Sequence, residues 1–222
     1  MAAVAWRSMD ALILVPVLLF SFVAHELAHA WVAYRQGDMT AYEQGRVTLN
    51  PIPHVDLFGT ILVPAMLIAS GSGFLIGWAK PVPVVPANFR NPRRGDILVS
   101  LAGVAANFAI AVVCTLLMIV VRTATGTGIT PGWVLHVERV LSVGISLNFL
   151  LVVFNLLPIP PLDGSRLVYH VLPQRAALAY ERMEKFGLLV FVLLLFTGKI
   201  SFVLWPARAL EGLSWTLIEW ST

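Results

Sequence analysis

The chain has 222 residues, of which 58% are hydrophobic and only 12% charged, and its mean hydropathy is +0.83. This composition excludes a soluble domain with one greasy helix and describes a protein that crosses the bilayer several times. The formal charge of +3 is not a nucleic-acid signal, because the basic residues lie between apolar stretches, where membrane topology accounts for them.

The first predicted span, Ala11–Tyr34, carries His25-Glu26-Leu27-Ala28-His29, an HExxH motif. Positions four apart lie one turn apart on one helix face, so both imidazoles can reach one metal ion. Two neutral imidazoles and a carboxylate suit zinc, and a Glu beside the first His can take a proton from water activated by the metal. Ionisable groups at membrane depth are costly and mark function. Arg7 before an apolar run, with Ala28-His29-Ala30, has the outline of a cleavable leader. Cleavage there would destroy the motif, so the segment is expected to be a permanent helix.

The following loop holds Arg46–Leu49 and, after Gly59–Trp78, Val82–Val85 between Pro81, Pro83 and Pro86. Both short pieces read as β-like edges that could accept an unwound peptide, or else as plain connections. His54 and Asp56 lie between them, as metal-site neighbours or gate residues, or simply as stabilisers of the turn. Gly59–Trp78 is apolar but holds Pro64 and Ser70-Gly71-Ser72-Gly73, so it either spans or is re-entrant.

Two further spans are expected at Ile97–Val121 and Val140–Leu157. Cys114, the one cysteine, falls inside the first as a small apolar residue and excludes an internal disulfide. Asn107 and Asn148 are expected to hydrogen-bond between helices. His136 reads as a surface residue. The second span ends in Asn155-Leu156-Leu157-Pro158, and Asp163-Gly164 follows. Asp163 is the best candidate for a third metal ligand, since a bound dication would remove the penalty of a buried carboxylate; a helix-capping role is the alternative. His170, two turns on, reads as interfacial. The segments Leu188–Phe196 and Ile200–Leu217 complete about five to six membrane segments, with Trp205, Trp215 and Trp220 as interface anchors. The expected fold is therefore an all-α polytopic membrane protein with a small re-entrant, β-like loop region between its first two full spans.

If Asp163 completes a site begun by His25 and His29, an even number of crossings separates them, which favours a re-entrant 59–78. One face then carries eleven of the fifteen Lys and Arg residues, and the other only Arg7, Arg122, Arg139 and Lys199. The positive-inside rule makes the eleven-charge face, with the site, cytoplasmic.

HExxH in the first span, N-x-x-P-x-x-x-L-D-G at Asn155–Gly164, and Gly103-Val104-Ala105-Ala106-Asn107 between them resemble the site-2 protease family of intramembrane zinc metalloproteases. Thr48-Leu49-Asn50-Pro51, His54-Val55-Asp56 and Gly77–Val84 resemble its compact bacterial branch without PDZ or CBS domains. The family's usual proline after the middle-helix glycine is replaced by Val104. The resemblance implies one Zn2+ per chain held by His25, His29 and Asp163, with Glu26 as general base and Asn155 on substrate backbone or oxyanion. It also implies single-span membrane substrates and a bacterial inner membrane. Residues 1–222 are expected to form one integral-membrane protease domain, with a catalytic core at about 11–166 and C-terminal helices at about 167–222. A zinc transporter would need several sites along a path, and a non-catalytic scaffold would not need Glu26; these are the remaining alternatives. The sequence leaves substrate identity and oligomeric state open.

Overall fold

A computed structural model describes residues 8–70, 77–126, 131–187, 189, 193–194, 197 and 200–222. Its frame is three long helices, α1 (Ser8–Gln36), α4 (Pro92–Thr125) and α5 (Gly132–Asn155). At 1.5 Å per residue they run about 43, 51 and 36 Å, enough to cross about 30 Å of hydrocarbon. They are the three helices, among the described residues, long and apolar enough to span a membrane. Both ends of α4 and the end of α5 have a local cause. Asn91 opens α4 by accepting the Arg94 N–H at 3.0 Å, with Pro92 in the first turn, and Gly126 closes it at φ +60°. Pro158 prevents α5 from continuing.

Between α1 and α4 lie α2 (Thr40–Glu43), a π-helical turn over Leu57–Leu62 and α3 (Val63–Ala69). The Asp56 carboxylate starts the π turn by accepting the Phe58 and Gly59 N–H groups. The Trp78 N–H donates to Gly59 O at 3.1 Å, and Thr60 Oγ1 donates to Trp78 O at 2.8 Å. These two bonds hold Gly59 and Thr60 against Trp78, so the two ends of 59–78 lie side by side.

The β-like reading of 46–49 and 82–85 is corrected at this point: among the described residues no strand is present. Pro81, Pro83 and Pro86 lack amides for a ladder, and two of the amides between them bond to side chains instead. The Val82 N–H donates to Glu26 Oε2 and the Val85 N–H to Asp38 Oδ2, both at 2.7 Å. Residues 77–86 thus form a strap fastened across α1.

Asp38 anchors the strap's exit. It is fully buried and also accepts from Thr40 and Asn88. Burial alone would push its carboxyl up, but these donors and the Val85 amide outweigh that and hold it below the ordinary carboxylate range. A depressed folded value means that its stabilisation is present above the unfolded value of about 3.9 and is lost as pH falls through the folded value. Asp38→Asn is accordingly expected to destabilise the protein by about 1–3 kcal/mol at pH 7. In melting curves across pH, the gap to the parent should narrow at acidic pH; a constant gap would show that the carboxylate charge is not what holds the strap.

α6 (Asp163–Val171) and α7 (Gln174–Glu181) follow α5, and α8 (Ile200–Val203) precedes α9 (Trp205–Ser221). The expected segment 188–196 lies largely outside the described residues. Apolar side chains of α4, α5 and α9 form the main core, built from Ala111, Met118, Leu141, Ile145, Phe149 and Ile218. Cys114 packs at this helix crossing, where a methyl on Gly144 would come within 2.7 Å of its sulfur. At one end of the bundle Arg122 pairs with Glu138 at 3.2 Å and lies over the Trp215 ring, so Trp215 is turned inward while Trp205 and Trp220 stay exposed. Ser146 donates to Glu211, tying α9 to α5.

Candidate metal centre

α1 crosses α4 where α4 presents Gly103, and the approach depends on that residue. A Cβ there would lie 2.4 Å from His29 Nε2 and 2.6 Å from His25 Nε2. The two Nε2 atoms stand 2.9 Å apart, and Asp163 Oδ2, from the first turn of α6, lies 3.2 and 3.3 Å from them. Both histidines are buried, and Asp163 Oδ2 has no hydrogen-bond partner.

The protons on this cluster can be placed from the bonds around it. The carbonyls of Ser21 and Gly144 only accept, so the NH2 groups of Asn107 and Asn148 face them at 3.3 and 2.8 Å. Asn107 Nδ2 also donates to Asn148 Oδ1 at 2.9 Å, which turns Asn107 Oδ1 toward His25 Nδ1 at 2.6 Å. His25 therefore carries its proton on Nδ1. His29 does the same, because Nδ1 meets the Val99 carbonyl at 2.7 Å. In the neutral rings both Nε2 atoms are lone pairs, and they converge with a carboxylate oxygen. Three acceptors without a proton repel one another unless a cation joins them, so the donor set fits a zinc ion bound by two imidazoles and one carboxylate. Among the described residues this is the one His/Cys/Asp/Glu group with such convergence.

Glu26 lies on the same turn of α1, partly exposed to a cleft of about 490 Å³ that also contains His25, His29 and Asp163. The strap forms one wall through Trp78, Pro81 and Val82, and α4 forms another through Asp96 and Val99. Asn155 opens into this cleft, with its amide on Leu151 O at 3.0 Å. Arg46 is buried and secures the strap by donating to the carbonyls of Pro53, Lys80 and Pro81.

His54 and Asp56 are placed in the loop's own bonding and outside the converging group. His54 is fully buried; Nε2 donates to Thr48 O at 3.1 Å, while its carbonyl accepts the Lys80 N–H at 2.8 Å. Burial pushes its imidazole below the ordinary histidine value, which keeps it neutral. Asp56 caps the π turn. His136 is exposed and bonds to Gly132 O, at the end of α5 remote from Asn155. His170 is no member of the cluster and pairs with Asp96. Asn107 was expected only to join helices; that it also orients His25 was visible in the sequence merely as the Asn four residues after Gly103.

A relative from Bacillus subtilis (strain 168), named "Putative zinc metalloprotease YwhC", is 44% identical over 193 residues, covering 87% of this chain and 84% of its own length. The model of one family, "Peptidase family M50", matches residues 126–198, the part that contains Asp163. The chain belongs to peptidase family M50. Two relatives named "Putative zinc metalloprotease Rip2" show lower identity. The one from Mycolicibacterium smegmatis is 33% identical, covering 82% of this chain and 66% of its own; that from Mycobacterium tuberculosis H37Rv is 34% identical, covering 80% and 64%. No solved structure matches. This M50 chain is a zinc metallopeptidase embedded in the membrane by several apolar helices.

Proposed function

We propose that this peptidase cuts single-span membrane proteins in or beside their spanning helices, with its site toward the cytoplasmic face of a bacterial inner membrane. The observation that carries the reading is the convergence of three proton-free acceptors beside Glu26, in a cleft walled by spanning helices. His25, His29 and Asp163 would hold the ion, and the Nδ1 bonds to Asn107 and Val99 would keep both rings in the ligating tautomer. Zinc, when bound, supplies Lewis acidity that makes water acidic near neutral pH and polarises a carbonyl. Glu26 takes the proton from the attacking water and passes it to the leaving amine. Asn155, at the cleft, would turn its amide to the substrate backbone or the developing oxyanion. A helical substrate hides its carbonyls in hydrogen bonds, so it must unwind locally, and helix-weakening residues near the cut favour cleavage. The bias of eleven basic residues against four supports the orientation. Residues 11–166 would form the catalytic core of a single domain completed by 167–222.

The test is reconstitution in vesicles with a set of single-span substrates. Cleavage is expected to stop when zinc is stripped by a chelator and to return on adding one equivalent of Zn2+. Cleavage that continues in protein verified to be metal-free would refute the reading.

A further inference from the structure

Two of the three proposed ligands are held directly by α4: His29 through Val99 O and His25 through Asn107. Gly103 lies between these positions and admits both rings. Residues 99, 103 and 107 recur every four positions, so they share one face of α4, and Asp96 extends that face by one turn toward the helix start. Asp163 has no comparable support, since its Oδ2 lacks a hydrogen-bond donor. Its place depends on how α6 sits. At the N-terminal end α6 is set against the end of α5, where a methyl on Gly164 would meet Leu156 O at 2.2 Å. That contact leaves the other end of a helix about 13 Å long to be fixed elsewhere.

The other end is fixed by α4. His170 Nε2 lies 2.7 Å from Asp96 Oδ2, with both side chains largely buried, and Arg93 Nη2 donates to His170 O at 3.0 Å. Residues 163 and 170 are two turns apart and therefore on one face of α6. We propose that the Asp96–His170 pair positions the third ligand: by clamping α6 to the face of α4 that already orients both histidines, it holds Asp163 in register with them. Neither residue belongs to the converging group of His25, His29 and Asp163; they are positioning residues. The inference rests on the zinc site proposed above.

The experiment uses the full chain in detergent or bicelles. Zn2+ affinity is measured by chelator competition, and the visible absorption of the Co2+-loaded protein is recorded, for the parent and for Asp163→Ala, Asp96→Ala, His170→Ala, His170→Gln and Ser146→Ala. The parent is expected to bind one Zn2+ that Asp163→Ala loses or weakens severely. Asp96→Ala and His170→Ala should weaken Zn2+ binding about 10–100-fold and alter the Co2+ bands. His170→Gln, which keeps a donor for Asp96, should recover most of that loss. Ser146→Ala removes a side-chain tie of α5 to α9 and should change melting without changing Zn2+ affinity. Should the Ala variants fail to fold, His170→Leu fills the space without a donor and is expected to show the same weakening. Unchanged affinity and Co2+ bands in folded Asp96 and His170 variants would overturn the inference and leave the zinc site standing. A parent that binds no Zn2+, or an Asp163→Ala variant that binds it equally well, would instead overturn the site reading beneath it.

Discussion

Glu26→Gln is expected to lower cleavage by about 10³-fold, roughly 4 kcal/mol in the barrier, with zinc still bound at one per chain. The choice of Gln follows from the bond between Glu26 Oε2 and the Val82 N–H at 2.7 Å. A glutamine keeps one oxygen to accept that amide, so the strap stays fastened and the cleft keeps its wall. Its NH2 then occupies the place of the second carboxylate oxygen, where it can donate a hydrogen bond but cannot take a proton. Alanine would be a poorer test, because it removes the base and frees Val82 together, and the two effects would be inseparable. Single-turnover cleavage of a reconstituted substrate, with zinc content matched, reads the change. Equal rates in parent and variant would remove Glu26 from the chemistry and place the proton transfer elsewhere.

What could be read from the chain beforehand divides along a physical line. Local spacing was legible: HExxH puts two imidazoles on one helix turn, and the apolar runs give the long helices. Long-range choice of partner was not. Val82–Val85 has the composition of a strand edge, yet the carboxylates of Glu26 and Asp38, 56 and 47 residues away, take two of its amides. For His54 and Asp56 the residues left a role beside the metal and a role in the turn equally open, and the structure places His54 Nε2 on Thr48 O and the Asp56 carboxylate on the Phe58 and Gly59 N–H groups. Asn107 reads in sequence as an interhelical amide, and it is one; its second bond, to His25, follows only from where α1 crosses α4. Asp96 and His170 carry opposite formal charges when His170 is protonated, and nothing in a separation of 74 residues pairs them. Spacing within one helix reports which side chains share a face, whereas the partner of that face is decided by packing.

Gly103→Ala is expected to weaken zinc binding although it favours the helix locally. By helix propensity alone the substitution is favourable, because Ala in a helix interior is about 1 kcal/mol better than Gly. Position 103 lies within α4, a 34-residue helix, so a purely local view expects unchanged or higher melting. The contacts oppose it. The new methyl would lie 2.4 Å from His29 Nε2, 2.5 Å from His25 Cε1 and 2.6 Å from His25 Nε2, distances at which something must move. The rings cannot move freely, since Asn107 and Val99 O hold their Nδ1 atoms at 2.6 and 2.7 Å. Either those bonds break, which leaves buried polar groups unpaired at about 1–3 kcal/mol each, or α1 and α4 separate and draw both Nε2 atoms away from Asp163. Both routes damage the metal site, so Zn2+ affinity is expected to fall at least about 100-fold, the upper end of what loss of an orienting partner does. Chelator competition reads the affinity and a melt of the metal-free protein reads the fold. The expected pair of results is weak zinc binding in a protein that still folds. Zinc binding at parental strength would mean that the helices accommodate the methyl without disturbing either ring, and that the close crossing at Gly103 is not what sets the geometry of the two histidines.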